Sequence, residues 1–308
     1  TILVLTVYAV MAEARLQGLY RVLTLALCGA LLLSLRGGGG ERVAGEVVRA
    51  SGTMGDPNEW ATVVVLLSPF LLGGLVDDDS TAGRLCRNAL MLLAPLGILR
   101  SESRTALVVM ILLCPGLFYL LRRHRRELWV GAGVGLVAAP FFINLETAFY
   151  RFSQLVGNLR GSATVMDTSL EERSELLRQG LQLLRDNWIL GSGPGTFPSA
   201  TGFVSHEWTL RPAHNTYLEL ASEQGIPGMA AGGIFILVLL WSLYQGWRDS
   251  RDPVAANRVL GVGMGLAAFG LMAATLNLLT FAMGYLTLGC ALALLHQARW
   301  GRDGERAA

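Results

Sequence analysis

Lysine is absent: all 25 basic residues of this 308-residue chain are arginine. A lysine Schiff base and a phosphate-cradling P-loop both need that amine, so both are excluded. Charge of either sign is scarce, at 16% of residues, against about 25% in ordinary soluble proteins. Cysteine is limited to Cys28, Cys86, Cys114 and Cys290, scattered singly and mostly within apolar runs. That spacing offers neither a disulfide framework nor a metal-ligand pair. A net charge of +2, spread over many short loops, leaves no footprint for nucleic acid.

What is present is apolar. Hydrophobic residues make up 52% of the chain and the mean hydropathy is +0.46, values that fit lipid as the solvent. Runs of roughly spanning length recur at 17–35, 59–76, 105–121, 128–144, 226–247, 259–277 and 279–297, with a shorter one at 88–100. Thr1 to Val10 reads as the tail of another. The expectation is an all-α polytopic membrane protein with about nine segments and one large helical extracytoplasmic loop. The start lacks a secretory signal pattern, and a chain opening on threonine is expected to begin partway through a longer protein.

Arginine placement orients the threading through the positive-inside rule. Arg15 and Arg21, Arg84 and Arg87, Arg122 to Arg126, Arg248 to Arg258 and the tail with Arg299, Arg302 and Arg306 fall at connections of one parity. Those connections are read as cytoplasmic. The opposite side then receives residues 36–58, the turn at 101–104 and the loop from Leu145 to Gly225. Three regions follow: N-terminal spans in 1–144, a large outer loop in 145–225, and C-terminal spans with a tail in 226–308.

The outer face collects the polar candidates. Residues 167–188 read as a helix, with Ser169 and Glu172 at capping-box spacing and Leu170, Leu177, Leu181, Leu184 and Trp188 on one stripe. Arg173 borders that stripe; Arg178 and Arg185 share its other margin. A cation near a helix N-terminus opposes the macrodipole, a conflict that a nearby anion would resolve; a surface helix lying on the membrane with solvated arginines is the plainer reading. Gly191, Gly193 and Gly195 form a glycine turn that follows a helix rather than a strand, which argues against a dinucleotide fingerprint and for a tight return to the membrane. His214 and Asn215 open a helix that stops at Gly225 with Pro227 behind it. Asn215 is the expected cap, and His214 has a side chain suited to proton transfer near neutrality, although a histidine bonded to a carbonyl at the interface would look the same. Asp56-Pro57-Asn58 opens another helix, with Arg49 a few residues ahead. Ser101-Glu102-Ser103-Arg104 opens the next, and an arginine just inside a membrane boundary is a functional candidate. Asp77-Asp78-Asp79 resembles a metal-holding acidic pair but lies on the cytoplasmic side, where a solvated acidic turn is the simpler account.

In order and on one face, these motifs resemble the O-antigen ligase family of membrane glycosyltransferases. The resemblance is carried by Asp56-Pro57-Asn58 to Ala61, Ser101-x-Ser103-Arg104, Arg173 with Arg178, Gly191-x-Gly193-x-Gly195-x-Phe197, and His214-Asn215-x-Tyr217-Leu218-Glu219 with Gly225 and Gly228. It extends from about residue 17 to the C-terminus. It implies a GT-C-like fold in a bacterial inner membrane with the active site facing the periplasm. The implied reaction moves a glycan from a polyprenyl diphosphate carrier to an acceptor hydroxyl at the outer leaflet, with no cofactor or metal. The implied catalytic residues are His214 and Arg173, with Arg104, Arg178 and Arg49 on the diphosphate. Asn58, Asn215, Tyr217, Glu219, Gly191, Gly193 and Gly195 would support them. The acceptor stays open among a glycolipid, a growing glycan and a protein, as in ligases, polymerases and O-oligosaccharyltransferases. A transporter of lipid-linked sugar is the alternative from another class, but it should bury ionisable groups at mid-membrane, where these spans carry almost none.

Overall fold

The computed structural model describes residues 16–36, 51–52, 54–142, 168–202, 211–278 and 281–306. Among the described residues every regular element is helical: α1 Leu16–Leu35, α2 Pro57–Leu75, α3 Thr81–Ser101, α4 Arg104–Leu120, α5 Arg125–Phe142, α6 Thr168–Asp186, α7 Phe197–Thr201, α8 Thr216–Arg248, α9 Pro253–Ala273 and α10 Ala282–Arg306. Five of them, α1, α2, α3, α8 and α9, are long and apolar enough to cross a bilayer, and α4 and the stretch Ala282–His296 are shorter apolar helices. The chain is a multi-pass helical membrane protein. The run read at Thr1 to Val10 and the diphosphate candidate Arg49 lie outside the described residues.

By its internal contacts the chain divides into two compact units. One comprises Thr1–Ala148, Leu240–Gly270 and Ala282–Ala308; the other comprises Phe149–Leu239 and Leu271–Phe281. In the first unit α2 is the central element, with every residue from Trp60 to Leu75 buried. A helix apolar all round must be covered all round, and α1, α3, α4 and α10 supply much of that cover. Its start follows the sequence reading: Asp56 Oδ1 accepts from the amides of Asn58 (2.6 Å) and Glu59 (3.0 Å), with Pro57 in the first turn.

Glycines bring α2 and α9 almost backbone to backbone. A Cβ on Gly73 would lie 2.6 Å from the Asn257 carbonyl oxygen and 2.8 Å from Gly261 Cα. One on Gly261 would lie 2.6 Å from the Pro69 carbonyl oxygen, and one on Gly265 would lie 2.7 Å from that of Leu66. Helices in lipid gain no hydrophobic drive from association, so small residues that admit dispersion contact do that work. α9 starts at Pro253, earlier than the apolar run at 259, because Asp252 caps it through the amides of Val254 (3.0 Å) and Ala255 (3.2 Å).

Polar contacts gather the arginine-rich connections at one end of this unit. Asp78 takes Arg21 bidentately at 2.7 and 2.9 Å. The fully buried Arg87 donates to Glu127 (3.0 Å) and to the carbonyl oxygens of Leu75 (3.1 Å) and Asp78 (3.3 Å). Asp77 accepts from Asn257 (2.7 Å) and pairs with Arg123 (3.5 Å), and Arg258 donates to Gln17 (2.9 Å). Connections that the sequence assigned to one side of the membrane are thus joined to one another. Asp77 and Asp78 are committed to these partners, as structural anchors rather than ion ligands.

The glycine contact yields a direct test. Gly261→Leu should destabilise the chain by about 1–3 kcal/mol through overpacking. The same change at Gly263, where an added Cβ meets nothing within 4 Å, should be tolerated. Thermal unfolding in detergent checks this, and equal losses at both positions would remove the close-packing account.

Candidate functional site

The second unit holds most of the sequence candidates. Its core is Leu176, Phe197, Ala213 and Leu218, with Leu183 packed against it. The face of α6 that meets this core therefore runs through Leu176, Gly180 and Leu183, and the side chains of Leu218 and Phe197 crowd the position where Gly180 would carry a Cβ. This corrects the stripe read from the sequence: Leu177, Leu181 and Trp188 are exposed. α6 has two apolar faces, and periodicity alone could not say which one the protein covers. Thr168 is already helical, so Ser169 lies within the helix rather than at its cap.

Glu223 organises the glycine turn. Its Oε2 accepts from the Gly195 amide (2.8 Å) and its Oε1 from the Phe197 amide (2.9 Å), while its own carbonyl oxygen accepts from the Gly193 amide (2.9 Å). The Ser192 amide donates to the Ser222 carbonyl at 2.9 Å. Gly191, Gly193 and Gly195 have φ of 71, 107 and 73°, a region that side chains rarely enter. A Cβ on Gly191 would also strike the Glu223 backbone. The turn amides that could cradle a phosphate are occupied by an acidic side chain of the same chain, which agrees with the reading of this turn as structural. The sequence signal for Glu223 was present: Glu219 and Glu223 stand one helical turn apart directly before an apolar run.

α8 is two helical pieces meeting at Gly225, whose φ of 67° and ψ of −176° break the helical path. The expected stop at Gly225 is therefore a kink with immediate restart, and Pro227 falls in the first turn of the second piece, where its missing N–H costs nothing. The arm before the kink starts as the sequence foretold. Asn215 Oδ1 accepts from the amides of Tyr217 (3.0 Å) and Leu218 (3.1 Å). Ahead of it, His214 is half-buried and has φ of 48°. Left-handed backbone in a non-glycine residue costs energy and persists only where the surroundings impose it. Here Ala213 is locked in the core on one side. On the other, the Thr216 hydroxyl donates to the Leu276 carbonyl oxygen (2.6 Å) and accepts from the Leu278 amide (2.9 Å).

Glu219 lies in this arm, ahead of the apolar stretch 226–247, and is buried. Asn277 Nδ2 donates to its Oε1 at 2.9 Å, and Oε2 has no hydrogen-bond partner. Burial, with the charge of Glu223 beside it, raises its carboxyl from the usual 4.5 to about 7, against the opposing pull of the Ala213 backbone and the Asn277 amide.

The arginines divide. Arg173 is half-buried on α6 in this unit. Arg178 is exposed and already gives its fork to Glu175, at 2.9 Å through Nε and 2.6 Å through Nη2. This pairing, aided by Gln179, holds the Glu175 carboxyl down at about 2. Arg104 belongs to the first unit, where it opens α4 behind the buried Ser103. Asn58 is half-buried just behind the Asp56 cap of α2, and Tyr217 is exposed. Among the described residues no group of three His, Cys, Asp or Glu side chains is placed to hold a metal ion.

Residues 89–232 match the family model described as O-antigen ligase. The resemblance read from the sequence thus holds over the stretch from α3 to the second piece of α8, which contains every site candidate except Arg49 and Asn58. The match implies a membrane glycosyltransferase of the ligase or polymerase type. No curated protein matches the chain.

Two expectations test this geometry. Glu223→Ala strands the Gly195 and Phe197 amides; losing bonds to a charged acceptor should cost about 1.5–3 kcal/mol, and amide exchange at these two positions should accelerate. Unchanged protection there would contradict the clasp. For Glu219, the folded chain holds the proton to higher pH than the unfolded one, so stability should fall as pH rises from 4.5 to about 7. Glu219→Gln, which keeps an acceptor for Asn277, should flatten that fall in a thermal-shift series. An identical pH slope in both proteins would refute the assignment.

Proposed function

We propose that this chain transfers a glycan from a polyprenyl diphosphate carrier to an acceptor hydroxyl at the outer leaflet of a bacterial inner membrane, facing the periplasm. The carrying observation is His214, held in left-handed backbone at the start of α8 inside the family-matched stretch. In the reaction the acceptor oxygen bonds to the anomeric carbon as the carbon–oxygen bond to the diphosphate breaks. His214 accepts the hydroxyl proton, and the diphosphate leaves with the bonding electrons.

A diphosphate is already a good leaving group, so its growing negative charge is what needs stabilising. Arginine suits this through its planar bidentate fork, and the chemistry then asks for no metal. Arg173 is the first choice, being on α6 of the same unit as His214. The resemblance adds Arg104 and Arg49. Arg178 would have to exchange Glu175 for the diphosphate, which makes it the weaker ligand of the set. Asn215 and Tyr217 shape the start of α8, and Glu219 ties it to Asn277. The acceptor is a lipid-borne sugar, a growing glycan or a protein hydroxyl; proton removal is the same in each.

The test is transfer from a purified polyprenyl diphosphate glycan by variants at matched membrane levels. His214→Gln keeps a hydrogen bond but cannot carry the proton, so the rate should drop by roughly 10²–10⁴-fold. Arg173→Ala and Arg104→Ala should each lose roughly a hundredfold or more, by analogy with removing an oxyanion donor. His214→Gln working at the parent rate would remove the base role, and near-normal transfer by both arginine variants would remove the diphosphate assignment.

A further inference from the structure

The face of α6 turned away from its core is apolar. Leu177 and Leu181 are 46% and 42% exposed, and the helix runs out into Trp188, Ile189 and Leu190 at 55%, 52% and 83%. Contiguous exposed apolar surface of this kind marks an interaction site. What meets it follows from where the tip is fastened. The Ile226 amide donates to the Trp188 carbonyl oxygen at 2.9 Å, and a Cβ on Gly225 would collide with the Ile189 carbonyl oxygen. Ile226 is itself 44% exposed and is the first residue of the apolar stretch that crosses the bilayer within α8. The tip is therefore pinned at the level where a membrane span begins, next to the exposed Ile226 of that span.

We propose that the outer face of α6 and the Trp188–Leu190 tip are seated in the lipid bilayer, with the tip at the depth of Ile226 and α6 lying along the membrane surface. Tryptophan is enriched at that depth. A helix that turns an apolar face to lipid, with cations along its margin, suits the interface plane; the exposed Arg185 and the Glu175-paired Arg178 border the face of Leu177 and Leu181. The kink has a purpose in this arrangement. Gly225 gives the 188–190 backbone room beside α8, and the Glu223 clasp on the glycine turn keeps the returning chain from pulling the tip away. The seating stands independently of the transfer reaction and holds whether or not glycan transfer is the activity.

The experiment places a nitroxide spin label at Leu190→Cys, Leu177→Cys, Gln182→Cys or Leu237→Cys in the full chain reconstituted in liposomes, with the four native cysteines replaced by alanine. Leu237 is a lipid-facing reference within the span, and Gln182 is exposed on the polar side of α6. Collision with oxygen, which concentrates in lipid, is compared with collision with a water-soluble nickel chelate. Positions 190 and 177 should shift to the lipid-like ratio of 237, while 182 stays water-like. A water-like ratio at 190 overturns the proposal. Shielding of 190 from both reagents overturns it too, because a second copy or another protein would then cover the tip. Should the cysteine-free chain fail to fold, bromolipid quenching of the otherwise unaltered chain is compared with Trp188→Phe. Loss of quenching on removing Trp188 supports the seating, and unchanged quenching refutes it.

Discussion

The second unit depends on one buried carboxylate. Glu223 accepts the amides of Gly195 and Phe197 with its two side-chain oxygens and that of Gly193 with its carbonyl oxygen. Each amide would otherwise be a donor in a tight turn without a helix or sheet to satisfy it, a cost that proteins rarely tolerate when such groups are buried. By collecting them, one residue of α8 fixes the return of the chain from α6, and its side chain takes the first amide of α7. Phe197 is then delivered into the core beside Leu176, Ala213 and Leu218, and Ala213 immediately precedes His214. The conformation of the histidine is thus set by packing that the carboxylate makes possible.

The first unit solves a different problem with different means. Lipid supplies no hydrophobic drive between helices, and α2 and α9 meet through Gly73, Gly261 and Gly265 at backbone contact. At the arginine-rich end, charges that would be costly if left unpaired are matched across connections distant in sequence: Arg21 with Asp78, Arg87 with Glu127, Asp77 with Arg123 and Asn257. Arg87 is fully buried, so removing Glu127 would strand a guanidinium, whereas the pair itself contributes registry more than net stability.

Much of this was legible in the residues, for physical reasons. The Asp56 and Asn215 caps are local, set by side chains that reach amides two and three positions on, and they stand where the sequence put them. Apolar runs and arginine parity gave the helices and grouped the connections, because bilayer thickness and charge constrain them directly. Contacts that join distant positions were not legible. Nothing in the pattern of α6 tells which of its two apolar faces meets Phe197 and Leu218, and Leu176 rather than Leu177 proved to be the core residue. The left-handed backbone of His214 and the Asn277–Glu219 contact, between residues far apart in sequence, are likewise consequences of tertiary packing. Arg178 became a diphosphate candidate through the family resemblance; its fork is given to Glu175, three residues earlier, a local pairing that the motif does not show.

The central claim is that a glycosyl–diphosphate bond is broken and a glycosyl–oxygen bond is made. The most direct measurement reconstitutes the chain in liposomes with a polyprenyl diphosphate glycan and a hydroxyl acceptor, and counts polyprenyl diphosphate released against glycan joined to acceptor. The account predicts release and joining in equal amounts, both dependent on the protein. Movement of the intact lipid-linked glycan between leaflets, with the diphosphate bond unbroken and no product formed, would contradict it.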